Sequence, residues 1–115
     1  MKEYLLLIRE NIDNYGKMTP EEMQQDIANH MKWVEQLIAN GNFKGGNPLM
    51  PDGKHIKGKS KIVTDGPYIE TKEGISGYYF LLAESLEAVT EIAKGCPSLA
   101  MGGTIELREV MQMPE

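Results

Sequence analysis

Residues 77–83, Gly-Tyr-Tyr-Phe-Leu-Leu-Ala, are the most strand-like run in the chain. The six residues after the glycine are all aromatic or apolar, so apolar side chains would point to both sides of an extended chain. The run is also short for a helix, whereas its length and its aromatic residues are typical of a strand. It therefore predicts a central strand that is buried on both faces.

Three further segments have extended patterns. Residues 4–8, Tyr-Leu-Leu-Leu-Ile, are again apolar at both parities and predict a second strand with two buried faces. Residues 59–64 resume an extended pattern after a glycine-rich stretch and end at a turn-forming Asp-Gly-Pro. Residues 104–110 alternate, with Ile105 and Leu107 opposite polar neighbours. Together these segments predict four strands.

The clearest helix start is Thr19-Pro20-Glu21-Glu22. Thr19 can cap the exposed amides, proline suits the first helical position, and Glu22 can bond back as in a capping box. We predict a helix from about residue 20 to 40, ended by Asn40-Gly41. Its buried face is predicted from one apolar stripe with helical spacing: Met23, Ile27, Met31, Val34 and Ile38.

A second helix is predicted after Ser85, a natural cap, and ends at Lys94-Gly95. Its buried face would comprise Leu86, Val89, Ile92 and Ala93. Between the first helix and the strand at 59–64, residues 41–58 are rich in glycine and lysine. This composition predicts a long loop within the domain, and loops of that length are often functional.

The predicted order is strand, helix, strand, strand, helix, strand, which is the βαββαβ order of an α+β ferredoxin-like fold. In that fold a four-stranded antiparallel sheet carries both helices on one face. Two strands are nevertheless apolar on both sides, and a large bare apolar face is rare on a monomer. We therefore predict a homodimer, a dimeric α/β barrel in which two sheets pack face to face. The alternative is a monomer whose 41–58 loop folds over the open face.

Length and composition exclude several classes of protein. The 115 residues suit a single domain, 1–115, and the net charge of −5 argues against nucleic acid as a partner. No apolar run is long enough to span a membrane, which predicts no membrane association and a cytoplasmic location. The single cysteine, Cys96, fits a reducing compartment. We expect no metal, because His30, His55 and Cys96 are far apart in sequence, and no cofactor, because no nucleotide-binding motif is present.

His30 is the best candidate for acid–base chemistry, since it lies at helical spacing with Trp33 and Leu37, beside the main apolar stripe. The alternative is a structural histidine bound to a backbone carbonyl. Asp65 is predicted to orient His30, or else only to build its turn. Polar residues on two other extended segments are candidates for substrate binding, with solubility or an ion pair as the alternative role: Glu70 and Lys72, and Arg108 with Glu106.

Residues 65–73, Asp-Gly-Pro-Tyr-Ile-Glu-Thr-Lys-Glu, followed by Gly77-Tyr78-Tyr79, resemble the signature of the YCII-related family, specifically its DGPF branch. The likeness extends to the helix start at Thr19, to Cys96-Pro97 and to the closing Glu-Leu-Arg. It implies a dimeric α/β barrel of the ferredoxin-like type, in agreement with the pattern of strands and helices. Biochemical activity in the family is largely unassigned.

The resemblance also bears on the site. Relatives in the wider family have a proposed active site in which a histidine is paired with an aspartate, and His30 matches the histidine. The aspartate, which precedes a proline in those relatives, is matched here by Cys96, so the pair is incomplete as the family has it. Some members of the DGPF branch are linked to extracytoplasmic-function sigma factors, which implies a sigma factor as a regulatory partner.

Two functions of different classes follow. The first is an isomerase- or lyase-like enzyme acting on an unidentified small molecule, with His30 as acid or base, Asp65 as its orienting group and Lys72 or Arg108 balancing charge. The second is a non-catalytic ligand-binding or regulatory module. The fold alone does not choose between them.

Overall fold

The computed structural model describes residues 1–11, 17–66 and 73–114. Along the described residues a strand and a helix are followed by four consecutive strands, a second helix and a last strand, and a 3₁₀ turn, Pro97–Leu99, lies after the second helix. The elements are β1 (Lys2–Asn11), α1 (Pro20–Ala39), β2 (Phe43–Pro48), β3 (Gly53–Lys57), β4 (Ile62–Gly66), β5 (Glu73–Ala83), α2 (Leu86–Ala93) and β6 (Thr104–Glu109).

Four strands form one antiparallel sheet in the order β2-β5-β1-β6, and β3 pairs with β4 in a separate two-stranded sheet. With the separate hairpin set aside, the order is that of the ferredoxin-like fold, so the predicted α+β class is confirmed. The two strands that the sequence identified as buried, β1 and β5, are the central pair. Each has a hydrogen-bonded strand on both edges, but only one face of each packs against the helices, so burial within this chain explains one of the two apolar parities and not the other.

The hydrophobic core lies between the sheet and the two helices. Alternate residues of β1 and β5 point into it, and Trp33 and Leu37 of α1 and Val89 and Ala93 of α2 close it from the other side. Both helices begin as predicted. Thr19 and Glu22 form the capping box, and the Ser85 hydroxyl accepts a hydrogen bond from the amide of Ala88.

The prediction of a loop over 41–58 is wrong. Residues 43–48 form edge strand β2, and residues 53–57 form one half of the separate hairpin. The second strand of the main sheet is therefore β2, and not the predicted segment at 59–64, of which residues 62–64 belong to β4 and residues 59–61 to the turn before it. Glycine lowers strand propensity, but the exposed edge of β5 supplies hydrogen-bonding partners that residues 43–48 satisfy.

The buried face of α1 also differs from the prediction. Trp33 and Leu37 are buried, whereas four members of the predicted stripe are 42 to 60% exposed: Met23, Ile27, Met31 and Ile38. The helix is rotated by about one residue, or 100°, so that the large indole enters the core. In α2, Val89 and Ala93 are buried as predicted, but Leu86 at its first position is exposed.

The face of the sheet that carries no helix is apolar at its centre and charged at its rim. The register places Leu5 and Leu7 of β1 beside Phe80 and Tyr78 of β5, and all four side chains are only half-buried. Ion pairs border this open face: Glu3 with Lys44 at 2.9 Å, Arg9 with Glu106 at 2.7 Å and Arg108 with Glu106 at 3.4 Å.

The described helices include none that combines the length and apolar character needed to cross a bilayer.

Candidate functional site

A polar cluster lies on the helix side of the sheet, centred on His30. The imidazole projects from the middle of α1, one turn before the buried Trp33, and its side chain is only 18% exposed. Its Nδ1 lies 2.9 Å from the hydroxyl of Tyr79, and its Nε2 lies 3.1 Å from the hydroxyl of Ser98. Both ring nitrogens therefore have a partner within hydrogen-bonding distance.

Tyr79 reaches the cluster from the central strand β5. Its ring is buried and makes an edge contact with Trp33 at a centroid distance of 5.4 Å, while the His30 ring stacks near it at 6.2 Å. Burial raises the pKa of the Tyr79 phenol to about 12, with smaller contributions from Cys96, which is negatively charged only at alkaline pH, and from Asp26. The phenol therefore keeps its proton at neutral pH and can donate to Nδ1.

Ser98 belongs to the short 3₁₀ turn and is almost fully buried. The turn follows Cys96, whose thiol is buried and free. Burial raises the pKa of the Cys96 thiol, although hydrogen bonds from Ser98 act in the opposite direction. The cysteine is therefore a neutral neighbour of the site at physiological pH and is poorly suited to be a nucleophile.

Asp26 supplies a carboxylate to the cluster. It lies one helical turn before His30, with Oδ1 3.8 Å from Nε2, and its side chain is 17% exposed. Burial raises the pKa of Asp26, His30 lowers it and the nearby Glu10 raises it. A positive charge on His30 is the change that would best stabilise the Asp26 anion.

Two glycines allow neighbouring backbone to approach the cluster closely. A β-carbon on Gly46 of β2 would lie 2.5 Å from the Tyr79 ring, and one on Gly95 would lie 2.8 Å from Nε1 of Trp33. Neither position can hold a side chain without displacing one of these rings. The glycine-rich sequence of β2, which argued for a loop, is thus needed where the strand passes Tyr79.

The cluster is able to hold and release a proton. A neutral imidazole donates from one nitrogen and accepts at the other, and both neighbouring groups are hydroxyls, which can donate or accept. A protonated imidazole would donate from both nitrogens to the same two hydroxyls, with Asp26 facing the positive charge. His30 can therefore change its protonation state without leaving a ring nitrogen unpaired.

The structure does not bring Asp65 to His30. Asp65 lies on β4 of the separate hairpin, where its exposed carboxylate forms an ion pair with Lys54, its partner across the strand pair. The carboxylate beside His30 is Asp26 instead. The segment 65–73 that resembles the family signature therefore does not bring its first residue, Asp65, to this cluster within one chain.

Arg108 lies on the other side of the sheet from His30. Leu107 and Tyr79 both pair with Leu6 of β1 and share its helix-side face, so Arg108, next along β6, points to the open face. There it contacts Glu106. The predicted role of Arg108 in balancing charge at His30 is therefore wrong for a single chain. Glu70 and Lys72, the other predicted binding residues, lie outside the described residues.

Sequence reasoning missed three members of the cluster: Asp26, Tyr79 and Ser98. A signal for Asp26 was present, because residues four apart on a helix lie on the same face, and this spacing joins Asp26 to His30. Tyr79 was hidden within an apolar run, where only its hydroxyl distinguishes it from a core residue. Ser98 carried no signal, because its position depends on the turn that follows α2.

Among the described residues, no group of three His, Cys, Asp or Glu side chains is arranged to hold a metal ion.

A family model described as the YCII-related domain matches residues 2–114. Among solved structures, a crystal structure of the Arabidopsis thaliana protein At3g17210 aligns with 100% of this chain and 98% of its own, at 16% sequence identity and a TM-score of 0.44. No curated protein matches the chain in sequence.

Proposed function

The chain belongs to the YCII-related domain family, and we propose that it is a small-molecule acid–base enzyme, isomerase- or lyase-like, in which His30 transfers the proton. The observation that carries this proposal is the pairing of both ring nitrogens with hydroxyls that can either donate or accept. An ordinary structural histidine is commonly held in one tautomer by a carbonyl or a carboxylate. Here each neighbouring hydroxyl can donate a hydrogen bond to an unprotonated ring nitrogen or accept one from a protonated ring nitrogen.

Each residue of the cluster has a distinct role in this proposal. His30 takes a proton from the substrate and returns it to another atom, and Asp26 stabilises the imidazolium formed in between. Tyr79 and Ser98 hold the plane of the ring. In this proposal Asp26 takes the role of the relatives' aspartate, the residue that is matched in this chain by Cys96. The partial exposure of His30 and Asp26 leaves an edge of the cluster open to a small molecule.

A homodimer remains part of the proposal. The half-buried apolar centre of the open face, bordered by three ion pairs, suits a second copy packed against it through the same residues. A reducing, cytoplasmic location suits the free thiol of Cys96.

Exchange of protons between candidate compounds and solvent tests the proposed enzymatic activity. This measurement can be made without knowing which reaction the enzyme catalyses. Mixtures of small carbonyl and hydroxy compounds are incubated with the protein in D₂O, and deuterium incorporation is followed by mass spectrometry. We expect at least one compound to exchange in a protein-dependent way. His30→Gln should slow that exchange by about 10²- to 10⁴-fold, the usual contribution of a positioned acid or base.

The matched control is His55→Gln, which makes the same substitution at the other histidine, on the exposed hairpin. It should exchange the compound at the wild-type rate. Asp26→Asn should reduce the rate while leaving binding of the compound measurable by calorimetry. An unchanged exchange rate in His30→Gln would show that His30 is not the residue that transfers the proton.

A non-catalytic binding or regulatory module is the second candidate, and one observation favours it: both His30 nitrogens are already satisfied within the protein. In that case a compound would bind and raise the melting temperature without exchanging protons. Co-purification with a sigma factor from cells grown under several conditions tests the regulatory form of this candidate, and the absence of a sigma factor in all of them would count against it.

A further inference from the structure

The separate hairpin, residues 53–66, forms an arm that its own chain does not cover. The side chains of residues 53–65 are all exposed, including three apolar ones that are 57 to 66% exposed: Ile56, Ile62 and Val63. Ile56 and Val63 lie opposite each other and form an apolar patch on one face of the arm. A two-stranded hairpin without packing is marginally stable in water, so a cover for this patch would stabilise the arm.

A matching apolar surface lies on α1. The exposed stripe defined above, Met23, Ile27, Met31 and Ile38, runs along the helix beside its buried face. Four large apolar side chains in one row exceed the scattered exposure that is normal for a monomer. Since the stripe and the arm are both exposed within one chain, they do not cover each other there.

The charges of the two surfaces are complementary. The arm carries four lysines and one aspartate, a net charge of +3, in a chain whose total is −5. Helix α1 carries three glutamates, one aspartate and one lysine, a net charge of −3. Opposite charges around facing apolar patches favour encounter and fix orientation.

We propose that the arm of one chain docks on the α1 stripe of a second copy, with its Ile56–Val63 patch against Ile27 and Met31. By symmetry the second copy places its own arm on the first, which gives a closed two-fold pair. Ile27 follows Asp26 and Met31 follows His30, so the docked arm borders the exposed edge of the polar cluster. This contact does not depend on whether the cluster is catalytic.

Disulfide trapping tests the contact directly, because the native Cys96 is buried and does not interfere. Chains with Ile56→Cys are mixed with chains with Ile27→Cys and oxidised. We expect a cross-linked heterodimer. Leu86→Cys, an equally exposed apolar position on α2, is the matched control and should not cross-link to Ile56→Cys. A control that cross-links as readily as Ile27→Cys would overturn the proposal.

Self-association gives a second measurement. Ile56→Glu and Met31→Glu should each weaken it about tenfold or more, as expected for central apolar contacts, whereas Leu86→Glu should leave it unchanged. Far-UV circular dichroism verifies that each variant is folded. Association should also weaken with added salt. A protein that dimerises but shows no cross-link and no effect of Ile56→Glu would overturn the arm contact alone, and a strictly monomeric protein would overturn both this contact and the sheet-to-sheet dimer.

Discussion

The two faces of the four-stranded sheet are built from neighbouring residues of the same kind but have different surroundings. Leu6 points to the helices and is fully buried, while Leu5 and Leu7 on either side of it point to the open face and are half-buried. Tyr79 joins the polar cluster on the helix side, while Tyr78 lies on the open side. A run that is apolar at both parities thus contains one core and one surface available for a partner.

The polar groups of the two faces differ as well. On the helix side, His30 and Ser98 are hydrogen-bonded within a nearly closed environment, where an unpaired group is costly. On the open side, Arg9, Glu106 and Arg108 form ion pairs that remain accessible to water and contribute little to stability. We therefore expect substitutions on the helix side to have larger effects on folding than matched substitutions on the open side.

The largest expected effect is that of Leu6→Ala. Removing a fully buried leucine typically destabilises a protein by about 2–5 kcal/mol, because a cavity remains in the core. Leu7→Ala, its matched control on the open face, should lower the free energy of unfolding by clearly less when urea denaturation is performed at low protein concentration. Equal losses would mean that the open face is buried within a single chain after all.

Tyr79→Phe should have the next largest effect. The variant removes one hydroxyl and leaves Nδ1 of His30 without its partner, which is expected to cost about 1–3 kcal/mol. Tyr78→Phe is the matched control on the adjacent residue and should be close to neutral. Urea denaturation of the two variants is the measurement, and a Tyr78→Phe loss as large as that of Tyr79→Phe would contradict the assignment of the polar cluster to one face.

A smaller effect is expected at alkaline pH, where Tyr79 and Tyr78 should differ in how they contribute to the pH dependence of stability. The Tyr79 phenol has a pKa of about 12 in the folded chain against 10.0 as its ordinary value, so the unfolded chain ionises first. The free energy of unfolding should therefore fall as pH rises from about 10 towards 12. In Tyr79→Phe this part of the fall should be absent, whereas Tyr78→Phe should retain it. A wild-type curve that parallels that of Tyr79→Phe would contradict the prediction.

The smallest expected effect is that of Glu106→Gln on the open face. Hydrogen bonds from Arg9 and Arg108 lower the pKa of Glu106, so the carboxylate stabilises the folded chain above its ordinary pKa. That contribution is lost as pH falls through the lowered pKa, and wild type and variant should then converge. Thermal denaturation from neutral to acidic pH checks this convergence, and curves that diverge on acidification would contradict it.

The predictable part of the fold depended on local patterns. The capping box at Thr19, the cap at Ser85 and the apolar runs of β1 and β5 each specify an element with little help from distant residues. The edge strand β2 had no such signal. Its glycines have low strand propensity, and it is a strand because β5 offers an unpaired edge and Gly46 fits against Tyr79.

The predictable part of the site was smaller. His30 was identified from its chemistry and from its spacing with Trp33 and Leu37. Within one chain Asp65 does not meet His30, since sequence order gives no distance between the hairpin and α1. Arg108 points to the other face of the sheet, since one step along a strand reverses the face. The apolar periodicity of α1 predicted the wrong buried face. A count of apolar residues does not take into account that burying one large tryptophan can be favoured over burying four smaller aliphatic side chains.

Local patterns in the sequence predict the four-stranded α+β class, the start of each helix and His30 as the candidate for proton transfer, because propensity, capping and periodicity act over a few residues. Tertiary packing sets which side of α1 is buried, which carboxylate lies beside His30 and which surfaces remain exposed. These features depend on the relative placement of segments far apart in the chain, and that placement is set by how the whole core packs.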